Sequence, residues 1–277
     1  MRFAIIASAR TGSSHLTNLL NSRSDILCNG EICHPKKVYV NWHKRYRTPE
    51  RLGELAALRS AAPAKFLEQI FEIDHDRPHV GFKILRGQYQ DVLRAVLEDR
   101  TIRKVILFRR NVLANFSSKL IANETGQYGL NAQKAPRESR EPIKVLFDAE
   151  RFKVHRRKYE RYYASAMNTL LQGGQNFHLI NYEEINNPWF FRSLLAYIGA
   201  ESLAPPDEGK LIKQNPSNIL SRFSNSREVE EFLLANDLVH WSFEGQVTFD
   251  VENVGRWRPG KAGGKKKKSA LLPASVA

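Results

Sequence analysis

Short apolar runs alternate along this chain with longer segments in which apolar residues recur every three or four positions. The runs predict buried β-strands, and the periodic segments predict helices with one buried face. Four runs have the strand pattern, at residues 3–6, 80–85, 105–108 and 177–180. Strands separated by helices are typical of a mainly parallel sheet covered on both faces. The pattern therefore predicts an α/β fold with a mainly parallel central sheet flanked by helices.

Capping signals predict where several helices begin and end. Thr48 begins one helix, and Asn187 begins another that ends at Gly199. Asn225 and Glu228 have the spacing of a capping box ahead of a last helix. Other helices are predicted at residues 64–71, 89–97 and 149–171, the last with Tyr159, Tyr162 and Tyr163 packed in the core.

The length predicts one domain over residues 1–260, with no internal repeat and no second domain. A helical insert is expected at about residues 36–78, before the second predicted strand. Residues 124–146 have many charges and no clear period, so they are interpreted as a lid over the acceptor. Residues 261–277 carry five lysines among small residues and are expected to form a disordered basic tail.

Charge and cysteine content narrow the class of protein. The chain has 43 Lys and Arg against 29 Asp and Glu, a net charge of +14, which favours an anionic ligand without identifying it. Cys28 and Cys33 are the only cysteines, which excludes a disulfide framework and favours a reducing compartment. Their spacing with His34 matches no regular zinc site, so no metal is expected.

Membrane signals are weak along the chain. No apolar segment approaches the ~18 residues that span a bilayer. The apolar run at the amino terminus is not interpreted as a signal peptide, because cleavage after it would remove the first predicted strand and the loop that follows. A cytoplasmic location is therefore expected, with at most a weak contact between Lys261 to Lys268 and an anionic membrane surface. No nucleic-acid partner is expected.

The first strand runs directly into a small-residue turn and an amphipathic helix. Arg10, Thr11, Gly12, Ser13 and Ser14 form the turn. Small residues allow a tight turn that aims several backbone N–H groups at one point, and the start of a helix adds unpaired N–H groups and the positive end of its dipole. The stretch therefore predicts a phosphate or sulfate site. It is no Walker A motif, since no GxxxxGK[ST] occurs in the chain.

A second strand-to-helix junction carries Arg109 and Arg110. Ser118 follows Arg110 by eight residues, about two helical turns, so a guanidinium and a hydroxyl could converge on one anion. Arginine suits this role because its planar fork bonds two phosphate oxygens at once. A solvated arginine pair beside ordinary helix serines is the alternative.

Together the two motifs resemble those of sulfotransferases that use 3'-phosphoadenosine 5'-phosphosulfate (PAPS). The strand at residues 80–85, the strand-helix unit at 181–200 and the segment at 253–260 are similar to the bacterial carbohydrate branch of that family, which includes the nodulation-factor and glycolipid enzymes. The resemblance implies a strand-loop-helix fold of the sulfotransferase and nucleoside-kinase type. It also implies transfer of a sulfuryl group from PAPS to a hydroxyl of a carbohydrate or glycolipid, with the spent nucleotide PAP as product.

The resemblance assigns roles to individual residues. The loop from Arg10 to Ser14 would hold the 5'-phosphosulfate, and Arg10 would also stabilise charge that develops during transfer. Arg110 and Ser118 would hold the 3'-phosphate. Arg256 and Trp257 would close over the nucleotide.

An acceptor hydroxyl must lose its proton, so the site needs a base within hydrogen-bond reach. Glu31 matches the position of the base in the bacterial branch, although by itself a glutamate after an Asn-Gly pair is typical of a solvated loop. His34 is the second candidate. His15, where the family has an apolar or aromatic residue, is either a hydrogen-bonded core histidine or a contact to the sulfuryl group. Lys83 is similar to a family lysine at a strand end, where ligands gather in parallel sheets.

Two other classes of function remain open at this point. One is a kinase-like or nucleotide-hydrolysing enzyme on the same scaffold, although the chain has no Walker lysine. The other is a non-catalytic basic module that holds nucleic acid or anionic lipid. The sequence reveals neither the acceptor nor the oligomeric state.

Overall fold

A computed structural model describes residues 1–126, 143–200 and 215–244. Its centre is a five-stranded parallel sheet in the order β2-β3-β1-β4-β5. The strands are β1 (Arg2–Ala7), β2 (Ile26–Glu31), β3 (His79–Leu85), β4 (Ile102–Phe108) and β5 (Phe177–Asn181). The α/β fold with a parallel sheet is thereby confirmed. Because all five strands run the same way, their carboxyl ends meet at one edge of the sheet.

The sequence pattern predicts four of these strands but not β2. Its sequence, ILCNGE, contains the Asn-Gly pair that favours a turn. In the structure Asn29 is buried, and its side-chain Oδ1 accepts the backbone N–H of Asn41 at 2.9 Å. This bond gives the buried side-chain oxygen a partner inside a strand. Glu31 therefore ends a strand, whereas the Asn-Gly pair by itself would place it in a solvated loop.

Helices cover both faces of the sheet. Alternate residues of β1 point to opposite faces, so Phe3 and Ile5 pack on α1 and α7 while Ala4 and Ile6 pack on the other layer. The α-helices are α1 (Ser13–Asn21), α2 (Pro49–Ala61), α3 (Pro63–Glu72), α4 (Gln90–Glu98), α5 (Val112–Thr125), α6 (Ala149–Gln172), α7 (Pro188–Ile198) and α8 (Ser226–Ala235). Short 3-10 helices lie at Lys44–Tyr46, Tyr182–Glu184, Leu220–Arg222 and Val239–Ser242.

Most of the predicted helix starts are confirmed. Thr48 caps α2 by accepting the N–H of Arg51, and Asn187 caps α7, which ends at Gly199 with φ 78°. The helix predicted after Asn225 is also confirmed, but its capping box is wrong. The amide of Asn225 donates to Glu228 at 2.7 Å, and its Oδ1 accepts the N–H of Phe147 instead of a helix N–H.

Several sequence expectations fall wholly or partly outside the described residues. Helices α2 and α3 lie between β2 and β3, within the segment expected to be an insert. Of the proposed lid at 124–146, the structure describes only the two ends. The tail at 261–277, Arg256 and Trp257 lie outside the description. Within the described ranges, none of the helices combines the length and the apolar character that a membrane span requires.

Candidate active site

The loop between β1 and α1 turns through Gly12, which has φ 80°. A Cβ atom added there would lie 2.7 Å from Cδ2 of Tyr182 and 2.8 Å from Cδ1 of Ile185. Both the backbone conformation and the space therefore require glycine. Helix α1 begins at the next residue, and no side chain caps its first turn. Its amino-terminal N–H groups thus face the end of the sheet without a side-chain acceptor.

The hydroxyl groups of this loop have different partners. Thr11 is buried, and its Oγ1 donates to the carbonyl of Ser8 at 2.7 Å, which closes the turn. Ser13 is also buried, whereas Ser14 is exposed. The hydroxyl of Ser14 accepts a hydrogen bond from Nζ of Lys83 at 2.8 Å. Among these hydroxyls, that of Ser14 is therefore the one placed at the surface of the site.

Arg10 connects the loop to the second motif. Its Nε donates to Oγ of Ser118 on α5 at 2.9 Å, and its carbonyl accepts from Nη1 of Arg109 at 3.2 Å. Arg10 has φ 67°, a left-handed conformation that is rare for a residue with a side chain and is often found at ligand clamps. Oγ of Ser118 also accepts from the amide of Asn215 at 3.2 Å. The two motifs therefore form one continuous surface at the carboxyl ends of β1 and β4.

The two arginines of the second motif have different surroundings. Arg109 is buried and forms an ion pair with Glu244, which also binds Arg222 at 2.8 Å. Burial lowers the pKa of Arg109, and burial together with the charge of Arg109 lowers the pKa of Arg222 to about 9. Arg110 is exposed at the same edge, and its backbone N–H donates to Oδ1 of Asn181 at 3.0 Å. Arg109 thus supports the fold, and Arg110 faces solvent beside the site.

A buried tyrosine of α6 holds the start of the first loop. The hydroxyl of Tyr163 accepts the N–H of Ser8 at 2.8 Å and donates to the carbonyl of Leu107 at 2.7 Å. It therefore bridges the ends of β1 and β4. Tyr159 makes the equivalent bridge to the backbone of Arg109, with bonds of 2.7 and 3.1 Å. The prediction that these two tyrosines pack in the core is confirmed.

We expect Tyr163→Phe to lower the free energy of unfolding by about 1–3 kcal/mol, because it leaves a buried N–H and a buried carbonyl without their shared partner. The matched control is Tyr162→Phe, one residue away, because the buried hydroxyl of Tyr162 has no hydrogen-bond partner among the described residues. Urea denaturation should show little change in the free energy of unfolding for the control. Equal losses for both variants would contradict the bridging role.

Glu31 lies beside the first loop in a network with Lys83 and Gln88. Nζ of Lys83 is 3.5 Å from Oε1 of Glu31, and the amide of Gln88 donates to Oε2 at 2.9 Å. Lys83 is buried, and burial lowers its pKa while the neighbouring carboxylate of Glu31 opposes that shift. The same ammonium group binds Ser14, so Glu31 is one side chain away from the loop. An ionised carboxylate is the form that can accept a proton.

The two histidine candidates lie in different surroundings from Glu31. Nε2 of His15 is hydrogen-bonded to Oδ1 of Asn186, before α7, and its Nδ1 is buried without a partner. His34 stands just beyond Glu31, where its Nδ1 accepts the N–H of Lys36 at 3.2 Å and its ring contacts Tyr39. Of the three candidates, Glu31 is the one joined to the loop through Lys83.

Further cations surround the two motifs, and the sequence analysis missed them. Arg86 directly follows β3, and its N–H donates to the carbonyl of Ala7. His155 of α6 bonds Asn115 at 3.0 Å, and burial followed by the charges of Arg86 and Lys119 lowers its pKa to about 4. Among the described residues, no carboxylate forms an ion pair with Arg86 or Lys119. A charged residue directly after a predicted strand was the available signal for Arg86.

The described residues contain no group of three or more His, Cys, Asp or Glu side chains that could hold a metal ion. Cys28 and Cys33 are both buried free thiols, and burial raises the pKa of each to about 12. At neutral pH both thiols therefore stay protonated, so neither is a ready nucleophile or metal ligand.

Comparison with known proteins places this geometry in context. No family model matches the chain. It is 25% identical to nodulation protein H of Rhizobium meliloti strain 1021 over 250 residues, which is 85% of this chain and 96% of that protein. It is 34% identical to nodulation protein H of Rhizobium tropici over 133 residues, 46% of this chain and 48% of that protein.

Solved structures similar to the chain include a sulfotransferase from Alicyclobacillus acidocaldarius, at 18% identity and a TM-score of 0.48, over 87% of this chain and 98% of that one. The similarity to the Rhizobium meliloti protein extends over nearly its whole length, and that protein belongs to the branch that the two motifs resemble. The resemblance drawn from the motifs is thereby confirmed. The chain is similar to nodulation protein H over nearly the whole length of that protein, and its activity is sulfotransfer.

Proposed function

We propose that this enzyme transfers a sulfuryl group from PAPS to a hydroxyl of a carbohydrate or glycolipid acceptor. The observation that carries the proposal is the hydrogen bond between Arg10 and Ser118, which joins the loop after β1 to the helix after β4. A nucleotide with charged groups at its 5' and 3' positions needs two anion sites on one surface, and this contact supports that arrangement. Arg86 and Lys119, which form no ion pair with any described carboxylate, add to the attraction for a polyanionic donor.

The residues of the site suit the donor in chemistry. The backbone N–H groups at the start of α1 suit the 5'-phosphosulfate, together with Thr11, Gly12, Ser13 and Ser14. Arg110 and Ser118 offer a guanidinium and a hydroxyl for the 3'-phosphate. Arg256 and Trp257 stay proposed contacts to the nucleotide, since they lie outside the described residues. No metal takes part in this proposal.

The transfer breaks the bond between sulfur and the bridging oxygen of the 5'-phosphate, and it forms a bond between sulfur and the acceptor oxygen. The proton of the acceptor hydroxyl passes to Glu31, and the bridging oxygen leaves with PAP. Charge that develops on that oxygen is stabilised by Arg10 and by the helix terminus. Lys83 contacts the carboxylate of Glu31 and holds it beside the loop. His34 and His15 are the alternative bases.

The experiment that tests this proposal supplies PAPS labelled with a sulfur isotope to the purified enzyme and an extract of glycans and small metabolites. We expect label in a hydroxyl-bearing product and PAP in equal amount. Label that stays in PAPS with every acceptor, together with magnesium-dependent turnover of ATP, would contradict the proposal and favour the kinase-like alternative. Nothing in the comparisons supports that alternative or a non-catalytic basic module.

We also propose that the enzyme works in the cytoplasm as a single domain over residues 1–260, with residues 124–146 as a lid over the acceptor. The two buried thiols support a reducing compartment. The lysine-rich segment from Lys261 to Lys268 is proposed to contact anionic membranes weakly at most. Removal of residues 261–277 should therefore leave PAP affinity unchanged.

A further inference from the structure

A cavity lies beside the sheet edge formed by β2, and the site described above does not use it. Its volume is about 530 Å³, and Leu27 of β2 and Arg77, just before β3, are among the residues that line it. Leu27 precedes Glu31 by four strand residues, which corresponds to ~13 Å. The cavity therefore lies towards the amino ends of the strands, away from the edge that carries Arg10 and Arg110.

The cavity is lined by cationic side chains. Lys44 and Arg47 are exposed at its wall, and Nη1 of Arg77 is fixed to the carbonyl of Ile26 at 2.5 Å. His43 and His75 add two imidazoles, whose rings meet edge to face at 4.3 Å. No carboxylate is among the lining residues. The walls therefore favour an anion.

The charges around His75 agree with this excess of positive charge. Burial lowers the pKa of His75, and the charges of His43, Arg77 and Arg45 lower it further. Asp74 is the acidic group that opposes this shift. Asp74, an exposed carboxylate, thus lies among several cations around His75.

Neutral polar groups line the same cavity. Asn18 is exposed, and the amide of Asn41 is held in place because its Nδ2 donates to the carbonyl of Cys28 at 2.6 Å. Trp42 also lines the cavity, and its indole N–H is buried without an acceptor. A buried N–H group without an acceptor destabilises the fold unless a hydrogen-bond partner is supplied. These groups offer both donors and acceptors, as sugar hydroxyls require.

We propose that this cavity binds an acidic sugar unit, one that carries a carboxylate, sulfate or phosphate group. The cations suit its acid group, and the side chains of Asn18, Asn41 and the histidines suit its hydroxyls. The volume falls in the range of cavities that bind whole small molecules, and it exceeds what an inorganic anion fills. This inference rests on the proposed function: the acidic sugar unit is a part of the acceptor that is remote from the sulfated hydroxyl.

The test measures binding of a hyaluronan tetrasaccharide, which carries carboxylates, by calorimetry with the full chain. The control ligand is the same tetrasaccharide with its carboxylates reduced to alcohols. We expect the acidic form to bind and the reduced form to bind about tenfold more weakly or not at all. The variant pair Lys44→Gln with Arg47→Gln should weaken binding of the acidic form about tenfold, because it removes two exposed charge contacts.

A matched control variant is Lys65→Gln with Arg157→Gln, which removes the same two charge types at exposed positions outside the cavity lining. This variant should bind the acidic tetrasaccharide like the wild type. Three results would overturn the proposal. They are no binding of the acidic form to the wild type, equal affinity of the wild type for both forms, and equal losses of affinity for the acidic form in the two double variants. PAP affinity should not change in either variant, so this test fails or succeeds independently of the donor site.

Discussion

Glu31→Gln is expected to lower kcat by about 10²–10⁴-fold, because the variant removes the group proposed to accept the acceptor proton. The amide of the variant has nearly the shape of the carboxylate but no charge. The side chain should therefore stay beside Gln88 and Lys83. Steady-state kinetics with labelled PAPS would measure the loss. Calorimetry with PAP should show an unchanged dissociation constant, because Glu31 is not among the groups proposed to bind the nucleotide.

The controls for this result are His34→Gln and His15→Gln. His34 lies just beyond Glu31 but bonds the backbone of Lys36, and His15 bonds Asn186. We expect both variants to retain most of the turnover. A fully active Glu31→Gln enzyme would contradict the assignment, and the histidine whose variant loses activity would then take the role of the base.

Arg110→Ala is expected to weaken PAP binding about 10- to 100-fold, since a hydrogen bond to a charged group contributes about 1.5–3 kcal/mol. Arg110 is exposed, so its removal should leave the free energy of unfolding nearly unchanged. Calorimetry with PAP measures the first quantity, and urea denaturation measures the second.

Two controls separate the 3'-phosphate from charge in general. Adenosine 5'-phosphosulfate lacks the 3'-phosphate, so its affinity should be the same for the wild type and for Arg110→Ala. Arg157→Ala removes an exposed arginine from α6 and should change neither ligand's affinity. Equal weakening of both nucleotides by Arg110→Ala would contradict the assignment to the 3'-phosphate.

The sequence was sufficient for the parts of this protein that depend on local chemistry. Apolar runs and capping residues identified β1, β3, β4 and β5 and the starts of α2 and α7. Both strand-to-helix motifs were found because an anion-binding turn needs small residues and a charge at fixed spacing. The strand β2 was missed because an Asn-Gly pair favours a turn and because the side-chain oxygen of its buried asparagine bonds a residue twelve positions away.

The contacts that join distant segments could not be predicted from the sequence. The bond from Arg10 to Ser118 and the link from Lys83 to Glu31 depend on the order of the strands in the sheet. The predicted capping box at Asn225 is wrong because the side-chain oxygen of Asn225 accepts the backbone N–H of Phe147, which is far away in sequence. In each case a tertiary partner decides between local alternatives of similar energy.

The buried ion pair of Arg109 with Glu244 has a consequence for how the protein matures. During synthesis, Arg109 leaves the ribosome long before Glu244, which lies far beyond it in the sequence. Until Glu244 arrives, Arg109 and Arg222 would be two like charges in an apolar setting without their counter-ion. The sheet can form early, but the junction beneath the second motif is completed only when Glu244 docks. The nascent chain should therefore gain its proposed affinity for nucleotide only after Glu244 has left the ribosome.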